Sequence, residues 1–282
     1  MIQKASYLEF PTEEYAKRLA NIRKQMESAQ VEALFLTMHD NITYFSGFRT
    51  WLRISRHRPF AMVIPLIRDP ILIVPPIEAG VADAFSWVPD VRVWPDTPGS
   101  TSDYITLWVN TLRDLGLLRA RLATELGSDT QIGMCIEDFE AFRARLPDVT
   151  WSDAARLIWP VRFIKSPLEV ERLRQAATIT DASVAACWEF LRPGVTQREL
   201  ASTIGASMMA SGADQVSFLI VRTGDDGWYL GNPLSTDRVV RPGDMIHLDI
   251  GCVYRDYCSD AMRVACLGEP TSAYRKQHDD AL

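Results

Sequence analysis

Apolar positions along the first 160 residues change their period several times. Tyr15, Leu19, Ile22 and Met26 recur at helical intervals behind Thr12, Glu13 and Glu14, which predicts an amphipathic first helix with Thr12 as its N-cap. The runs "VEALFLT" (31–37), "AMVIPLI" (61–67) and "ILIV" (71–74) are short and β-rich, and Arg68-Asp69-Pro70 reads as a turn between the last two. Helical stretches near 101–116 and 137–145 alternate with further strand candidates near 91–94 and 120–125. The mixture predicts an α/β domain over residues 1–158.

The second half is punctuated more sharply. In "RFIKSPLEVERLRQAA", Ser166 is a helix cap, Pro167 takes the first helical position, where its missing N–H costs nothing, and Glu169 completes a capping box. That helix is expected to run to about Leu191, where Pro193 and Gly194 stop it. "VTQRELASTIGASMMASGA" repeats the device with Thr196 and Glu199, and puts Leu200, Ile204 and Met208 on one face. Two capped helices followed by strands predict an α+β domain over 159–282, with a last helix beginning near Thr271.

Within that domain "MIHLDIG" and "CSDAMRVACLG" read as antiparallel strands around a turn centred on Tyr254 and Arg255. This register sets Asp249 opposite Asp260 and His247 opposite Met262 on one face, with Ile246, Leu248 and Ile250 on the core face. Carboxylates directly opposite one another, with Cβ atoms about 5 Å apart, destabilise a sheet. Solvation, a proton on one of the pair, or a bridging divalent cation would each relieve the repulsion.

Composition narrows the classes. Hydrophobic residues are 47% and charged residues 23% of 282, and no apolar run reaches the length of a membrane span. A net charge of −6 with dispersed basic residues argues against a general nucleic-acid binder. The basic stretch "FRTWLRISRHR" (48–58) reads as a solvated loop rather than an anion site. Five cysteines without a Cys-x-x-Cys pair, and an N-terminus without a signal-peptide core, fit a cytoplasmic protein. Asp225 and Asp226 read as a solvated turn, Met208 and Met209 as core-helix residues, and Ser46 and Ser102 have no hydrolase arrangement around them.

"LDIGCVYRDYCSDAMR" (248–263) resembles the metal-binding hairpin of the "pita-bread" family of aminopeptidase P, prolidase, methionine aminopeptidase and creatinase. Gly251, Tyr257 and Arg263 fit the pattern around the acids, and the phrases "DNITYFSGF" (40–48), "LRPGVTQRELA" (191–201) and "RPGDMIHLDIG" (241–251) follow in the family's order. The resemblance implies a creatinase-type N-terminal domain and an incomplete pita-bread domain. It implies Asp249 and Asp260 as ligands of two divalent ions, Mn, Co or Zn. It also implies a homodimer acting on a short Xaa-Pro peptide or on a small amide or amidine metabolite, with no membrane or nucleic-acid partner.

Three departures qualify this expectation. The family's remaining ligands, one His and two Glu, lie well beyond the second Asp, and only 22 residues follow Asp260, so the chain reads as C-terminally truncated and inactive by itself. Asn232 stands at the usual position of a catalytic His, and an amide cannot exchange protons near neutral pH, which favours non-peptide hydrolase or lyase relatives or a non-catalytic dimerising remnant. His247, two residues before Asp249, is either an additional ligand, a partner orienting Asp249, or a strand histidine satisfied by a neighbour.

Overall fold

The computed structural model describes residues 5–55, 58–95, 102–128, 130–224 and 230–281. The chain divides into two units, Met1–Ile164 and Lys165–Leu282. The first runs α1 (Thr12–Ser28), β1 (Ala33–Leu36), α2 (His39–Ser46), β2 (Ala61–Pro65), β3 (Ile71–Val74), α3 (Ala79–Phe85), β4 (Asp90–Val93), α4 (Ser102–Asp114), β5 (Arg121–Thr124), α5 (Ile136–Ala144), β6 (Thr150–Asp153) and α6 (Ala155–Phe163). Tyr15, Leu19, Ile22 and Met26 of α1 are buried as expected, but the N-cap is Pro11 and Thr12 is already helical. The proline ring presets an extended φ, and the Pro11 carbonyl accepts the first helical bond, from the Glu14 N–H.

The six strands form one sheet in the order β4-β3-β2-β1-β5-β6, in which only β2 runs antiparallel to its neighbours. Alternate residues of β1 feed two cores, which is why "ALFL" is apolar throughout. Phe35 meets Trp108 and Phe142 on the face covered by α4 and α5. Leu34 and Leu36 meet Ile22, Met26 and Ile42 on the other face. Helix α6 joins this second core through Leu157, Ile158 and Val161, so the first unit extends past residue 158.

The chain leaves β1 towards β2 and leaves β5 towards β6, in opposite directions across the sheet. The carboxyl ends of β1 and β5 therefore mark the switch point, the place where open α/β sheets take ligands. Here it is filled from within. The Glu125 carboxylate, just beyond β5, accepts from the Thr37 N–H (2.9 Å), the Met38 N–H (3.2 Å) and the Asn41 amide (3.1 Å) at the start of α2. Arg162 donates in turn to the Asn41 carbonyl oxygen (2.8 Å). The "DNITYFSGF" phrase thus includes Asn41, the neutral link between a buried acid and an arginine.

His39, at the first position of α2, lies against the rings of Phe48 and Phe60, and its Nδ1 is enclosed without a hydrogen-bond partner among the described residues. Burial lowers its pKa to about 4; Arg53 adds to the fall and Asp40 opposes it. The unfolded chain binds this proton from about pH 6.5 downward, so the stability gained from a neutral His39 is present above that pH and is lost between 6.5 and 4. After discounting for the partly exposed ring, the loss is about 2 kcal/mol. Urea melts across this range are expected to show that slope in the wild type and to lose it in His39→Phe.

The second unit comprises α7 (Pro167–Phe190), α8 (Gln197–Ala210), β7 (Gln215–Thr223), β8 (Met245–Tyr254), β9 (Tyr257–Cys258), β10 (Ala261–Cys266) and α9 (Ser272–Ala281). Both expected capping boxes form: Ser166 with Glu169, and Thr196 with Glu199. The antiparallel sheet runs β10-β8-β7, with β9 also paired to β8. Leu200, Ile204, Met208, Ala176 and Ile179 from the two long helices enclose Val221, Ile246, Leu248, Ile250 and Cys252 in a single core. No described helix is long and apolar enough to cross a membrane.

Candidate metal centre

The hairpin that carries Asp249 and Asp260 closes on Arg255 and Asp256, both in the left-handed region (φ 51° and 68°). Tyr254 pairs with Tyr257 and Val253 with Cys258 around it. The turn is thus centred one residue later than expected. A two-residue turn of this hand needs positive φ at both central positions, which Asp256 tolerates and a bulky Tyr254 does not. The shift overturns two expected pairs: Asp249 lies opposite Met262, and His247 opposite Val264.

The shared face survives the shift, because a change of two residues preserves the alternation of sides. Leu248 and Ile250 are buried in the helix-facing core, which leaves Asp249 on the opposite face. Ser259 is buried, with its Oγ 2.6 Å from Thr180 Oγ1 on α7 and accepting from the Cys252 N–H (2.9 Å). Its neighbour Asp260 therefore turns away from α7 and is exposed. By continuation of the register Asp260 stands opposite Gly251, diagonal to Asp249, at about 7 Å rather than the 5 Å of a direct pair. Repulsion between the acids is correspondingly weaker than the sequence suggests.

The backbone around the acids is held from behind. Tyr257 donates its phenol proton to Glu169 Oε1 (3.0 Å), the buried carboxylate whose other oxygen accepts from the Ser166 N–H. Arg263, which alternation directs to the helix side, donates to Asp181 on α7 (2.9 Å). Gly251 has no room for a side chain: an added Cβ would lie 2.2 Å from the Ser259 carbonyl oxygen and 2.7 Å from Phe218 Cε1. The residues that fit the resemblance around the two acids thus anchor the hairpin to the helix layer or let its strands approach closely.

His247 is buried at 5% exposure and meets Arg222, its opposite number on β7. Arg222 Nη2 is 2.9 Å from Nδ1 and 3.1 Å from Nε2 of the imidazole, and Arg222 Nε is 3.3 Å from Nδ1. The guanidinium thus turns its Nε and Nη2 edge towards the imidazole. Burial, and then the Arg222 charge, lower the His247 pKa, and Asp249 partly opposes them. Arg222 was not singled out from the sequence; the signal for it is one cation interrupting the apolar run "FLIV" just before the strand ends. Its Nη1 also donates to the Leu230 carbonyl (2.8 Å), two residues before the exposed Asn232. The segment beyond is pinned by Thr236 to Gln197 (2.7 Å) and by Arg238 to Asp244 (2.6 Å). Asp225 and Asp226 lie outside the described residues.

Two carboxylates on one face supply the oxygen donors that divalent cations take. No group of three or more His, Cys, Asp or Glu able to hold a metal ion occurs among the described residues. The side chains present therefore fit as part of a ligand set.

Comparison with known proteins bears on both units. Residues 18–164 match the creatinase/prolidase N-terminal domain, and residues 171–282 match metallopeptidase family M24. An uncharacterized peptidase of Staphylococcus saprophyticus is 26% identical over 268 residues, covering 94% of this chain and 70% of its own length. An uncharacterized hydrolase/peptidase of Sinorhizobium fredii is 27% identical over 291 residues, covering 96% and 70%. Among solved structures, the dipeptidase PepE from Mycobacterium ulcerans superposes with a TM-score of 0.80 at 26% identity, covering 96% of this chain and 69% of its own. The prolidase from Pyrococcus horikoshii gives 0.76 at 21%, covering 93% and 68%, a likeness of fold. With a creatinase-type domain followed by a partial pita-bread domain, the chain belongs to the creatinase/prolidase type of M24 metallopeptidases.

Proposed function

We propose that Asp249 and Asp260 are metal ligands of an Xaa-Pro-type metallohydrolase, each contributing carboxylate oxygen to a pair of divalent ions. The observation that carries this reading is the register, which turns both acids to one face of the β8–β10 ribbon while Leu248, Ile250 and Ser259 turn to the helices. Divalent ions bound there would lower the pKa of a bound water and polarise a scissile carbonyl. The chain's own part is to hold the two carboxylates at a fixed separation, through the Tyr257–Glu169 and Thr180–Ser259 contacts behind them. His247 fits the part of an orienting neighbour, held by the Arg222 guanidinium on the same face. The fitting substrate is a short peptide with proline after the scissile bond. Asn232 favours a small amide as the second reading, since an amide side chain positions a substrate by hydrogen bonds without moving a proton.

The 282 residues are expected to bind Mn2+ weakly and to show no Mn-, Co- or Zn-dependent release of proline peptides. Asp249→Asn should weaken Mn2+ binding about tenfold or more in calorimetric or paramagnetic-resonance titrations. Equal Mn2+ affinity in wild type and variant would contradict the ligand assignment. Peptide turnover that disappears in Asp249→Asn would contradict the expected inactivity.

A further inference from the structure

Arg222 ties together three parts of the acid-bearing side of the sheet. It stands on β7 opposite His247, in the row next to the one that pairs Ile220 with Asp249, and one row is about 7 Å along a strand. Its Nη2 and Nε lie 2.9 Å and 3.3 Å from His247 Nδ1, while its Nη1 donates to the Leu230 carbonyl (2.8 Å). Among the described residues, that carbonyl is the one group of 230–235 held by a hydrogen bond.

A guanidinium is flat, and its N–H donors have fixed directions. Seating the Nε and Nη2 edge against the imidazole therefore fixes where Nη1 points, and with it the place of the Leu230 carbonyl. His247 can serve as the seat because it is itself fixed. It is 5% exposed and lies on β8, the central strand, between the core residues Ile246 and Leu248. Arg222 thereby passes the position of β8, the strand that carries Asp249, to a segment that does not belong to the sheet. Asn232 follows Leu230 by two residues and is exposed. At most about 7 Å of extended chain separates the two Cα atoms, so holding the first restricts the second.

We propose that Arg222 is a positioning residue whose planar guanidinium, braced on His247, holds the Leu230–Asn232 segment beside the Asp249–Asp260 face and so sets where the Asn232 amide meets a bound ligand. The inference rests on the reading of that face as the metal-binding one, and goes beyond it by assigning the residue that orders the segment next to the acids.

The test uses the 282-residue chain, first in EDTA and then with Mn2+. In EDTA, NMR relaxation of wild type, Arg222→Met, Arg222→Lys and Met208→Ala reads the order of the Leu230, Gly231 and Asn232 amides, with circular dichroism to confirm folding. Order parameters near about 0.85 mark a rigid backbone and values below about 0.6 a flexible one. Wild type is expected in the first range and Arg222→Met in the second. Arg222→Lys keeps the charge but offers a single ammonium, which cannot meet both anchors in one fixed plane, so it should resemble Arg222→Met. Met208→Ala, in the helix core of the same unit, should leave the segment rigid, which separates positioning from a general loss of stability. With Mn2+, the Asn232 side-chain amide should broaden together with the Ile250 and Gly251 N–H groups in wild type, and should broaden less in Arg222→Met. If none of the three broadens, the metal reading fails while the comparison in EDTA still decides this one. A flexible Asn232 in wild type, a segment as rigid as wild type in either Arg222 variant, or broadening at Ile250 and Gly251 without any at Asn232 overturns the proposal. Where Arg222→Met does not fold, Arg222→Lys carries the comparison.

Discussion

Glu125→Ala is expected to lower the unfolding free energy by about 4 kcal/mol, the largest single effect anticipated in the first unit. The carboxylate is 2% exposed and is the acceptor for two backbone N–H groups and the Asn41 amide. Truncation leaves all three donors without it in a closed crevice and frees Arg162 from the acid that balances it through Asn41. Glu125→Gln should cost less, because one oxygen is kept. The charge itself is held at some expense: burial pushes the Glu125 pKa up, and the hydrogen bonds from Thr37, Asn41 and Met38 restrain the rise. A raised acid contributes stability that is full below its ordinary pKa and falls as pH climbs through the raised one, so Glu125→Gln should flatten that decline. Thermal and urea melts read by tryptophan fluorescence measure both effects; a loss below about 1 kcal/mol for Glu125→Ala would mean that other groups already satisfy these donors.

Gly251→Ala is expected to cost about 3 kcal/mol and to weaken Mn2+ binding together with it. The φ of this glycine is not the reason. Its hydrogen faces the Ser259 carbonyl at a distance that admits no carbon, and that carbonyl is backbone, with Ser259 itself tied to Thr180 and Cys252. A methyl group must therefore push β8 and the chain before β10 apart, and Asp260 is the next residue along. The double readout distinguishes this account from general destabilisation: Met208→Ala, in the helix core of the same unit, should lower stability while leaving Mn2+ affinity nearly unchanged in the folded fraction. An alanine variant with wild-type Mn2+ affinity would show that the hairpin has slack and that the spacing of the acids is not set here.

Much of the second unit was legible because its signals are local. A serine or threonine three residues before a glutamate closes its own capping box, and the burial of Leu200, Ile204 and Met208 follows from spacing on one helix. In the first unit the short helices α2 and α3 and the strand β6 carry no such signature, since their burial is set by neighbours distant in the chain. The hairpin register stood between these cases. Alternation decided which side of the ribbon each acid takes, and that conclusion tolerates an error of two residues. Which residue faces which was decided by the turn, whose handedness selects Arg255-Asp256 over Tyr254-Arg255.

The sequence by itself determined the long capped helices, the strands of strongest apolar character, the side on which Asp249 and Asp260 lie, and the family phrases that surround them, because each is written in spacings of a few residues. Only the tertiary structure decided that Glu125 is enclosed beyond the first sheet by Thr37, Met38 and Asn41, that Asp249 and Asp260 stand diagonally, and that Arg222 meets His247. Glu125 meets Thr37 across 88 residues and Arg222 meets His247 across 25. Such contacts are fixed by strand order and register, and no local pattern encodes the distance between side chains that only folding brings together.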